Sequence, residues 1–310
     1  MNRIIDILIP TYNRCEFLAK NIQLLVQQIS EANLQDQVAI CVSDNCSSDH
    51  TQATVQELIQ ANPTISIYYH RQNTNIGLEP NVVDLMGRAV SPYVMWIGDD
   101  DYIADGYLAY CVAQIQEQNI GCIIPGLKNL NADGTVVDAR NESFASKTYE
   151  PGYETMWAIS HLAHQMSGIL LTRDSLLESY LDKPAYRNPY LFIFWTADCL
   201  FRLGGIYAPI YKTGITTFNA KDWGYNQVGL LDEVFKSYYY FESKVSPIQL
   251  RELLLRFSKM HSYRYNIRKY EPLKLLKKYK ILCSTLPIQL RGFNYHLALH
   301  LIKDYAKSWL

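Results

Sequence analysis

The sequence has no uninterrupted apolar stretch that approaches the length of a membrane-spanning helix. Such a helix needs roughly 20 apolar residues, so we expect no transmembrane helix. The first residues, Met-Asn-Arg-Ile-Ile-Asp, lead directly into a strand-like run, and we therefore expect no signal peptide. Internal repeats and low-complexity runs are absent as well. The 310 residues suffice for one large domain, with or without an appendage.

Cysteines are few and irregularly spaced. The chain has seven of them, an odd number, which argues against a framework of disulfides. A reducing compartment fits this pattern better than an oxidising one. We therefore expect a cytoplasmic protein.

An excess of charge of either sign is also missing, because the formal net charge is only −1. This balance by itself predicts no polyanionic partner, and we expect no binding of nucleic acid. The distribution is uneven, however. Residues 246–310 contain 13 Lys and Arg but 3 Asp and Glu, whereas the preceding residues contain 16 and 27. A basic tail on an acidic body is typical of proteins that contact a charged surface.

The shift in composition at Ser246 predicts a boundary between a domain of residues 1–245 and a helical, basic region of residues 246–310. Apolar residues recur at helical spacing in this region, beside Lys, Tyr and Trp. Such helices are suited to anionic lipid headgroups, so we expect peripheral association with the inner face of the cell membrane. The alternative is a helical appendage that packs on the core with its charges solvated. A homo-oligomer is also possible.

Strand-like and helix-like segments alternate along the first hundred residues. Short apolar runs predict strands at residues 4–9, 38–43, 65–69 and 94–97, and helical periodicity predicts helices between them. This alternation predicts an α/β fold with a mostly parallel central sheet flanked by helices. Ligands bind at the carboxyl ends of the strands in such sheets. Residues 1–105 would then form a ligand-binding half, and residues 106–245 a second half.

Three consecutive carboxylates, Asp99, Asp100 and Asp101, follow the last of these strands. Adjacent charges about 4 Å apart repel by roughly 1 kcal/mol per pair even in water, and by more in a cleft. A bound cation would relieve this repulsion, and carboxylate oxygens suit a hard ion such as Mg²⁺ or Mn²⁺. The alternative is a solvated acidic turn.

Four segments of the chain together resemble the signatures of the family 2 glycosyltransferases. They are Ile7 to Arg14 (ILIPTYNR), Val42 to Thr51 (VSDNCSSDHT), Asn73 to Gly77 (NTNIG) and the acid triplet. Their order and spacing match the family over residues 4–105. The resemblance implies the GT-A fold, a Rossmann-like α/β architecture, and a nucleotide-activated sugar as donor.

The resemblance also implies which residues bind the donor. They are Pro10, Thr11, Tyr12, Asn13, Arg14, Asp44, Arg71, Asn75, Gly77, Asp99 and Asp100. Residues 10–12 would lie against the nucleobase. Asp44 would accept a hydrogen bond from a base N–H, or alternatively would form an Asx turn that ends its strand.

The triplet corresponds to the family's metal-binding acidic motif, which often reads Asp-x-Asp-Asp. Gly98 stands where the first Asp of that motif would be. We expect Asp99 to face the ribose or sugar and Asp101 to bind the metal, with Asp100 as a rival ligand. The implied cofactor is Mn²⁺ or Mg²⁺.

Relatives usually carry the catalytic carboxylate in a helix near residues 189–204, commonly after another acid. Here Asp198 is the only carboxylate between Asp182 and Asp222, and Ala197 replaces the preceding acid. Burying an unpaired carboxylate is costly. Asp198 is therefore either the base that takes the proton of the acceptor hydroxyl or one partner of a buried ion pair with Arg202.

On the acceptor side we expect His164, Trp195 and Trp223. Trp223 lies in a loop whose aromatic residues are suited to stacking on a sugar, and packing in the core or at the rim is an equally good account of them. The Gln-x-x-Arg-Trp pattern of processive synthases is absent, which favours the addition of a single sugar. The resemblance thus implies an inverting transfer, from a UDP-sugar by default, to a glycan or lipid-linked glycan of a surface polysaccharide. A nucleotidyltransferase and a non-catalytic sugar-nucleotide-binding scaffold are the alternative functions.

Overall fold

The structure is a computed structural model that describes residues 3–139, 146–218 and 231–261, together with residues 298, 299, 302, 303 and 306. Trp223 and most of the basic region after residue 261 lie outside the described residues. The expected roles of that indole and of the basic helices therefore stay predictions.

Helices and strands alternate as expected for an α/β fold. The strands are β1 (Ile5–Thr11), β2 (Val38–Asp44), β3 (Ser66–Arg71), β4 (Tyr93–Trp96), β5 (Cys122–Leu130), β6 (Val136–Asp138), β7 (Lys147–Tyr149), β8 (Ile169–Thr172) and β9 (Gly205–Thr216). The helices are α1 (Cys15–Glu31), α2 (Thr51–Ala61), α3 (Leu78–Arg88), α4 (Tyr107–Glu117), α5 (Tyr153–Ile159), α6 (Leu176–Leu181), α7 (Leu191–Leu203), α8 (Leu231–Tyr239) and α9 (Pro247–Met260). Two short 3₁₀ helices lie at Ser160–His164 and Pro184–Tyr186.

The described strands form one sheet in the order β3-β2-β1-β4-β8-β5-β9-β7, and β6 pairs with β5. The first four strands of this order are parallel, as the alternation of elements predicts. β8 runs antiparallel to both of its neighbours, β4 and β5. β5 and β9 are parallel to each other. The central sheet is therefore parallel in its first half and mixed in its second.

Two apolar layers cover the faces of the sheet. Every residue of β1 is buried, and its side chains alternate between the layers. Ile7 packs with the apolar faces of α1 and α4. Leu8 packs on the other side, in a cluster that draws on α3 and on α5 to α9. A strand buried on both faces reads as the continuous apolar run seen in the sequence.

Helix α9 belongs to this second cluster. It begins with a capping box, in which Ser246 and Gln249 each bond to the other's backbone N–H. Its predicted apolar face, including Leu253 and Phe257, packs in the same cluster as α7. The division proposed at residue 246 therefore falls at a helix start, and this first helix is packed on the core.

Among the described residues, the longest apolar helical stretches fall short of what a bilayer crossing requires.

Candidate active site at the carboxyl edge of the sheet

The carboxyl ends of β1, β2 and β4 lie side by side because β1 is hydrogen-bonded between the other two strands. Thr11 at the end of β1 is opposite Asp44 at the end of β2. The chain continues from β4 through Gly98 into the acid triplet at the same edge. The register thus brings the polar residues that follow three strands into one crevice.

The acid triplet is buried. Asp99, Asp100 and Asp101 are 7%, 4% and 3% exposed, so this segment is not a solvated acidic turn. Burial without enough positive charge disfavours the ionised form of a carboxyl group. The three side chains therefore need partners, and each has a different set.

Asp99 accepts a hydrogen bond of 2.8 Å from the hydroxyl of Thr11. The guanidinium of Arg14 lies 3.7 Å from its other oxygen. The pKa of Asp99 is raised to about 7, chiefly by burial and also by the charge of Asp100, against the opposing effect of Arg14. Asp99 is therefore a carboxyl group whose charge the surrounding residues do not fully compensate.

Asp100 forms the closest ion pair of the triplet. Its Oδ2 lies 2.6 Å from Nη1 of Arg14. Its backbone carbonyl accepts a hydrogen bond from the hydroxyl of Thr216, at the end of β9. Arg14 thus links the loop after β1 to the triplet, and β9 holds the backbone in place.

Asp101 is held by hydrogen bonds from the second half of the chain. Its Oδ2 accepts from the hydroxyl of Ser167 at 2.5 Å and from the amide of Gln165 at 3.1 Å. Its Oδ1 accepts from the backbone N–H of Thr216 at 3.2 Å. Both oxygens of Asp101 thus accept hydrogen bonds that fix the local structure. Asp99 and Asp100 are therefore the better candidates to bind a metal ion.

Steric crowding explains why glycine stands at position 98, where the family motif usually has an acid. A Cβ atom at this position would lie 2.9 Å from Oδ2 of Asp101 and 3.3 Å from Oγ of Ser167. The backbone N–H of Gly98 donates to the same Ser167 hydroxyl. Its carbonyl accepts from the side chain of Asn21 on α1. Asp101 and Ser167 therefore occupy the space that a side chain at position 98 would need.

Asp44 is fully buried at the end of β2. Its oxygens accept hydrogen bonds from the Tyr69 hydroxyl at 2.6 Å and from the Ser47 backbone N–H at 2.8 Å. The Nε atom of Arg71 is 3.7 Å away. The Ser47 contact is a local bond to the backbone three residues on, whereas the Asx turn given as the alternative would bond two residues on. Burial and the neighbouring Asp44 raise the pKa of Tyr69, which keeps its hydroxyl a donor.

The loops after β1, β2 and β3 are tied together by asparagines. The side chain of Asn13 accepts from the backbone N–H of Ser48. The Asn45 side chain donates to Asn75, which also accepts from the N–H of Gly77. Gly77 has φ +87°, a conformation that favours glycine, just before α3. These bonds shape the rim of the crevice.

The remaining residues expected to bind the donor line the same region. Pro10 is buried within β1, whereas Tyr12 is 44% exposed and available for stacking. The guanidinium of Arg71 donates to the carbonyl of Ser47, which places a cation beside the β2 loop.

The triplet fits a divalent cation in charge and in donor type. Within the part of the chain that the structure describes, no three His, Cys, Asp or Glu side chains are arranged to hold a metal ion by themselves. However, Mg²⁺ sites commonly use one or two carboxylates together with substrate phosphates. Burial is the main reason that the pKa of Asp99 is raised, because it disfavours the ionised form, and a bound cation would favour that form.

Asp198 is not grouped with the triplet. Its carboxylate is 1% exposed and lies between two cations, with Arg202 at 2.6 Å and Lys244 at 2.9 Å. Arg202 also donates to the carbonyl of Asp174, just after β8 ends. That end of β8 pairs with the start of β4, so the ion pair lies toward the amino edge of the sheet. The geometry is the buried ion pair, and it does not support the expectation of a base.

The residues expected on the acceptor side do not form a cluster. Trp195 is fully buried, donates to the carbonyl of Leu176 and stacks on Trp96 at 5.4 Å. It therefore presents no face to a sugar, contrary to expectation. His164 packs against His261, with ring centroids 4.0 Å apart.

A cavity of about 410 Å³ lies between α1 and the β5–β6 hairpin, and Tyr102 and Thr216 are among its lining residues.

The sequence alone did not indicate the residues that are hydrogen-bonded to the triplet segment but lie far from it in the chain. They are Asn21, Gln165, Ser167 and Thr216. They are common polar residue types, lie far from the triplet in the chain and follow no pattern. The packing of α1, the pairing of β4 with β8 and the return of β9 to the triplet bring them together.

Comparison with known proteins identifies a family and several relatives to which the chain is similar. Residues 6–179 match the family model described as glycosyl transferase family 2. The chain is 31% identical over 115 residues to the abequosyltransferase RfbV of Salmonella typhimurium, covering 37% of this chain and 33% of that protein. It is 28% identical over 147 residues to a GalNAc(5)-diNAcBac-PP-undecaprenol beta-1,3-glucosyltransferase of Campylobacter jejuni, covering 46% of each. The matches thus span less than half the length of these two relatives.

Solved structures resemble the whole described fold. S. aureus TarS 1-349 in complex with UDP-GlcNAc superposes with a TM-score of 0.70 at 15% identity, covering 98% of this chain and 90% of that chain. The mannosyltransferase PcManGT of Pyrobaculum calidifontis, in complex with GDP-Man and Mn²⁺, has a TM-score of 0.60 at 13% identity and covers 99% and 83%. At these identities the likeness concerns the fold.

Proposed function

The chain belongs to the family 2 glycosyltransferases, and on this premise we propose that it transfers one sugar from a nucleoside diphosphate sugar to a hydroxyl group of an acceptor glycan. The observation that carries the proposal is the buried acid triplet at the carboxyl edge, beside the ends of β1 and β2. A buried concentration of negative charge needs a cation, and a diphosphate leaving group needs one too.

We propose that the nucleobase binds at the ends of β1 and β2. Tyr12 offers an exposed ring for stacking. The Asp44 carboxylate is already bonded to Tyr69 and Ser47, so its part is to position the Tyr69 hydroxyl and the β2 loop. Arg71 adds a positive charge at the rim, where phosphates would pass. Uridine is the default base, and the TarS structures with UDP and UDP-GlcNAc are consistent with it.

Asp99 and Asp100 are the residues proposed to hold a divalent cation. When bound, the ion would neutralise charge on the departing nucleoside diphosphate. Asp101 would fix the triplet's backbone through Ser167 and Thr216. The work of the chain's own residues is thus to preorganise two carboxylates in a site that excludes water.

The proposed reaction is a single displacement. The acceptor oxygen bonds to the anomeric carbon as the bond from that carbon to the phosphate oxygen breaks, and the configuration inverts. The nucleoside diphosphate leaves with the electron pair of the broken bond, and the proton of the acceptor hydroxyl passes to solvent in the same step. Asp198, paired with two cations, is assigned to the stability of α7 and not to this proton transfer.

A growing or lipid-linked surface glycan is the proposed acceptor class. The two bacterial relatives transfer abequose and glucose by name, and the second name includes an undecaprenol carrier. The basic region after residue 246 would hold such an enzyme at the inner face of the cell membrane. Capsule or O-antigen assembly is the corresponding process.

The experiment is a donor panel of UDP-, GDP-, CDP- and dTDP-sugars with Mn²⁺ or Mg²⁺, in which release of the nucleotide is measured. We expect turnover with one donor class in the wild type and a loss of at least tenfold in Asp100→Asn. The matched control is Asp36→Asn, an exposed acid in the turn before β2, which should keep full activity.

Binding of a sugar nucleotide without turnover would instead favour the non-catalytic scaffold. Release of pyrophosphate from a nucleoside triphosphate would favour a nucleotidyltransferase. The segment after β1, Pro-Thr-Tyr-Asn, lacks the Gly-rich phosphate loop that a nucleotidyltransferase would need.

A further inference from the structure

Arg14 lies at the junction of the nucleotide and metal parts of the crevice. Its guanidinium Nη1 is 2.6 Å from Oδ2 of Asp100 and 3.7 Å from Oδ1 of Asp99. These are the two carboxylates that the geometry leaves best placed for a metal ion. One positive charge therefore already occupies the space between them.

We propose that Arg14 is an internal counter-ion of the triplet and that the divalent cation displaces it. This inference rests on the proposed function, because it concerns the same donor site. A guanidinium and a metal ion compete for the same carboxylate oxygens, and their like charges repel. Both cannot sit against Oδ2 of Asp100 at once.

The backbone at Arg14 is fixed, while its side chain has room to move. Its carbonyl accepts from the N–H of Leu18 at the start of α1, so α1 anchors the main chain. The side chain is 18% exposed, against 6% for Asp100. A rotation of the long Arg side chain toward the crevice is enough to release the carboxylate.

The displaced guanidinium then faces the place where the donor's phosphates enter. Guanidinium groups bind phosphate oxygens through paired hydrogen bonds. Arg14 thus has two successive partners, first Asp100 and then the diphosphate. The exchange keeps the buried acids neutralised before the donor arrives and couples metal entry to donor binding.

This exchange predicts that one substitution changes the affinity for Mn²⁺ and the affinity for UDP in opposite directions. In Arg14→Gln, Mn²⁺ alone should bind the full chain roughly tenfold more tightly than in the wild type, because its competitor is gone. In the presence of Mn²⁺, UDP should bind roughly tenfold more weakly, because a phosphate partner is gone. A residue that merely supports the fold would weaken both.

The test is a titration of Mn²⁺ into the full chain without nucleotide, followed by electron paramagnetic resonance of the free ion. UDP is then titrated at saturating Mn²⁺. The matched control is Arg3→Gln, which removes a guanidinium from the buried Asp6 at the opposite edge of the sheet. Arg3→Gln should leave both affinities at wild-type values.

Arg14→Lys provides a second variant in case Arg14→Gln does not fold. It retains the charge but loses the paired donors, so Mn²⁺ affinity should stay near the wild-type value while UDP affinity falls. Unchanged or weaker Mn²⁺ binding in Arg14→Gln would overturn the exchange, as would UDP binding that Arg14→Lys does not alter. Neither result depends on donor turnover by the wild type. That turnover tests the proposed function separately.

Discussion

At the scale of single residues, burial and a neighbouring charge have opposite effects on the pKa of Asp99. Its pKa of about 7, raised chiefly by burial, lies above the ordinary value of 3.8. The folded state therefore holds this proton more tightly than the unfolded chain does. The resulting stability is present in full below about pH 4 and is lost as the pH rises toward 7.

We accordingly expect the melting temperature of the metal-free protein to include a component that falls between about pH 4 and pH 7. Thermal unfolding in the presence of a chelator measures it, and Asp99→Asn should lack this component. Because Mn²⁺ binds the deprotonated form, its stabilising effect should grow over the same interval. A melting temperature that depends on pH equally in both proteins would contradict the expected titration of Asp99.

Asp198 provides a second test at the scale of single residues. A role in an ion pair predicts that its substitution lowers stability, whereas a role as the base predicts that it lowers activity. Removing one member of a buried ion pair typically costs about 3 kcal/mol or more. We expect Asp198→Asn to lower the free energy of unfolding by about that amount, because Arg202 and Lys244 would keep unpaired charges. Denaturant unfolding measures the change.

Donor turnover distinguishes the alternatives for Asp198. At a temperature where the variant is folded, the rate constant should stay within a few-fold of the wild-type value. A loss of several orders of magnitude in kcat with unchanged stability would restore the interpretation of Asp198 as the base.

At the scale of elements, α9 tests how the basic region joins the rest. Its N-terminal capping box is formed by Ser246 and Gln249, and loss of such a cap costs about 1 kcal/mol. Because α9 packs in the same apolar cluster as α7, we expect Ser246→Ala to lower the free energy of the main unfolding transition by about this amount. A separate, earlier transition that alone responds to the substitution would show an independent unit.

The elements also show what the sequence could predict. β1, β2 and the triplet follow from local signals, since apolar runs end in polar residues and parallel strands align their ends. A helix was predicted between the second and third strands, and α2 (Thr51–Ala61) lies there. Such features depend on residues close together in the chain.

Other features depend on distant contacts and could not be predicted. β7 is only three residues long, and it pairs with the first residues of β9. The antiparallel insertion of β8 brings Ser167 beneath Gly98. Trp195 was expected on the acceptor side, yet it is buried by packing from α6 and β4.

At the scale of the whole molecule, the charge is divided between an acidic body and a basic C-terminal region. Each basic residue near an anionic surface contributes about 1 kcal/mol of attraction, which salt screens. We expect the full chain to co-sediment with vesicles that contain phosphatidylglycerol and to remain in solution with purely zwitterionic vesicles. Raising the salt concentration should release it. Equal partitioning to both vesicle types would count against a peripheral membrane role.

The central claim is that a divalent cation allows the buried acids and a diphosphate to share one crevice. The most direct measurement is calorimetric titration of UDP into the full chain, with Mn²⁺ and with a chelator, for the wild type and Asp100→Asn. We expect binding by the wild type in Mn²⁺, and affinities lower by roughly tenfold or more in the chelator and in the variant. Equal affinity of UDP in all of these conditions would contradict the claim.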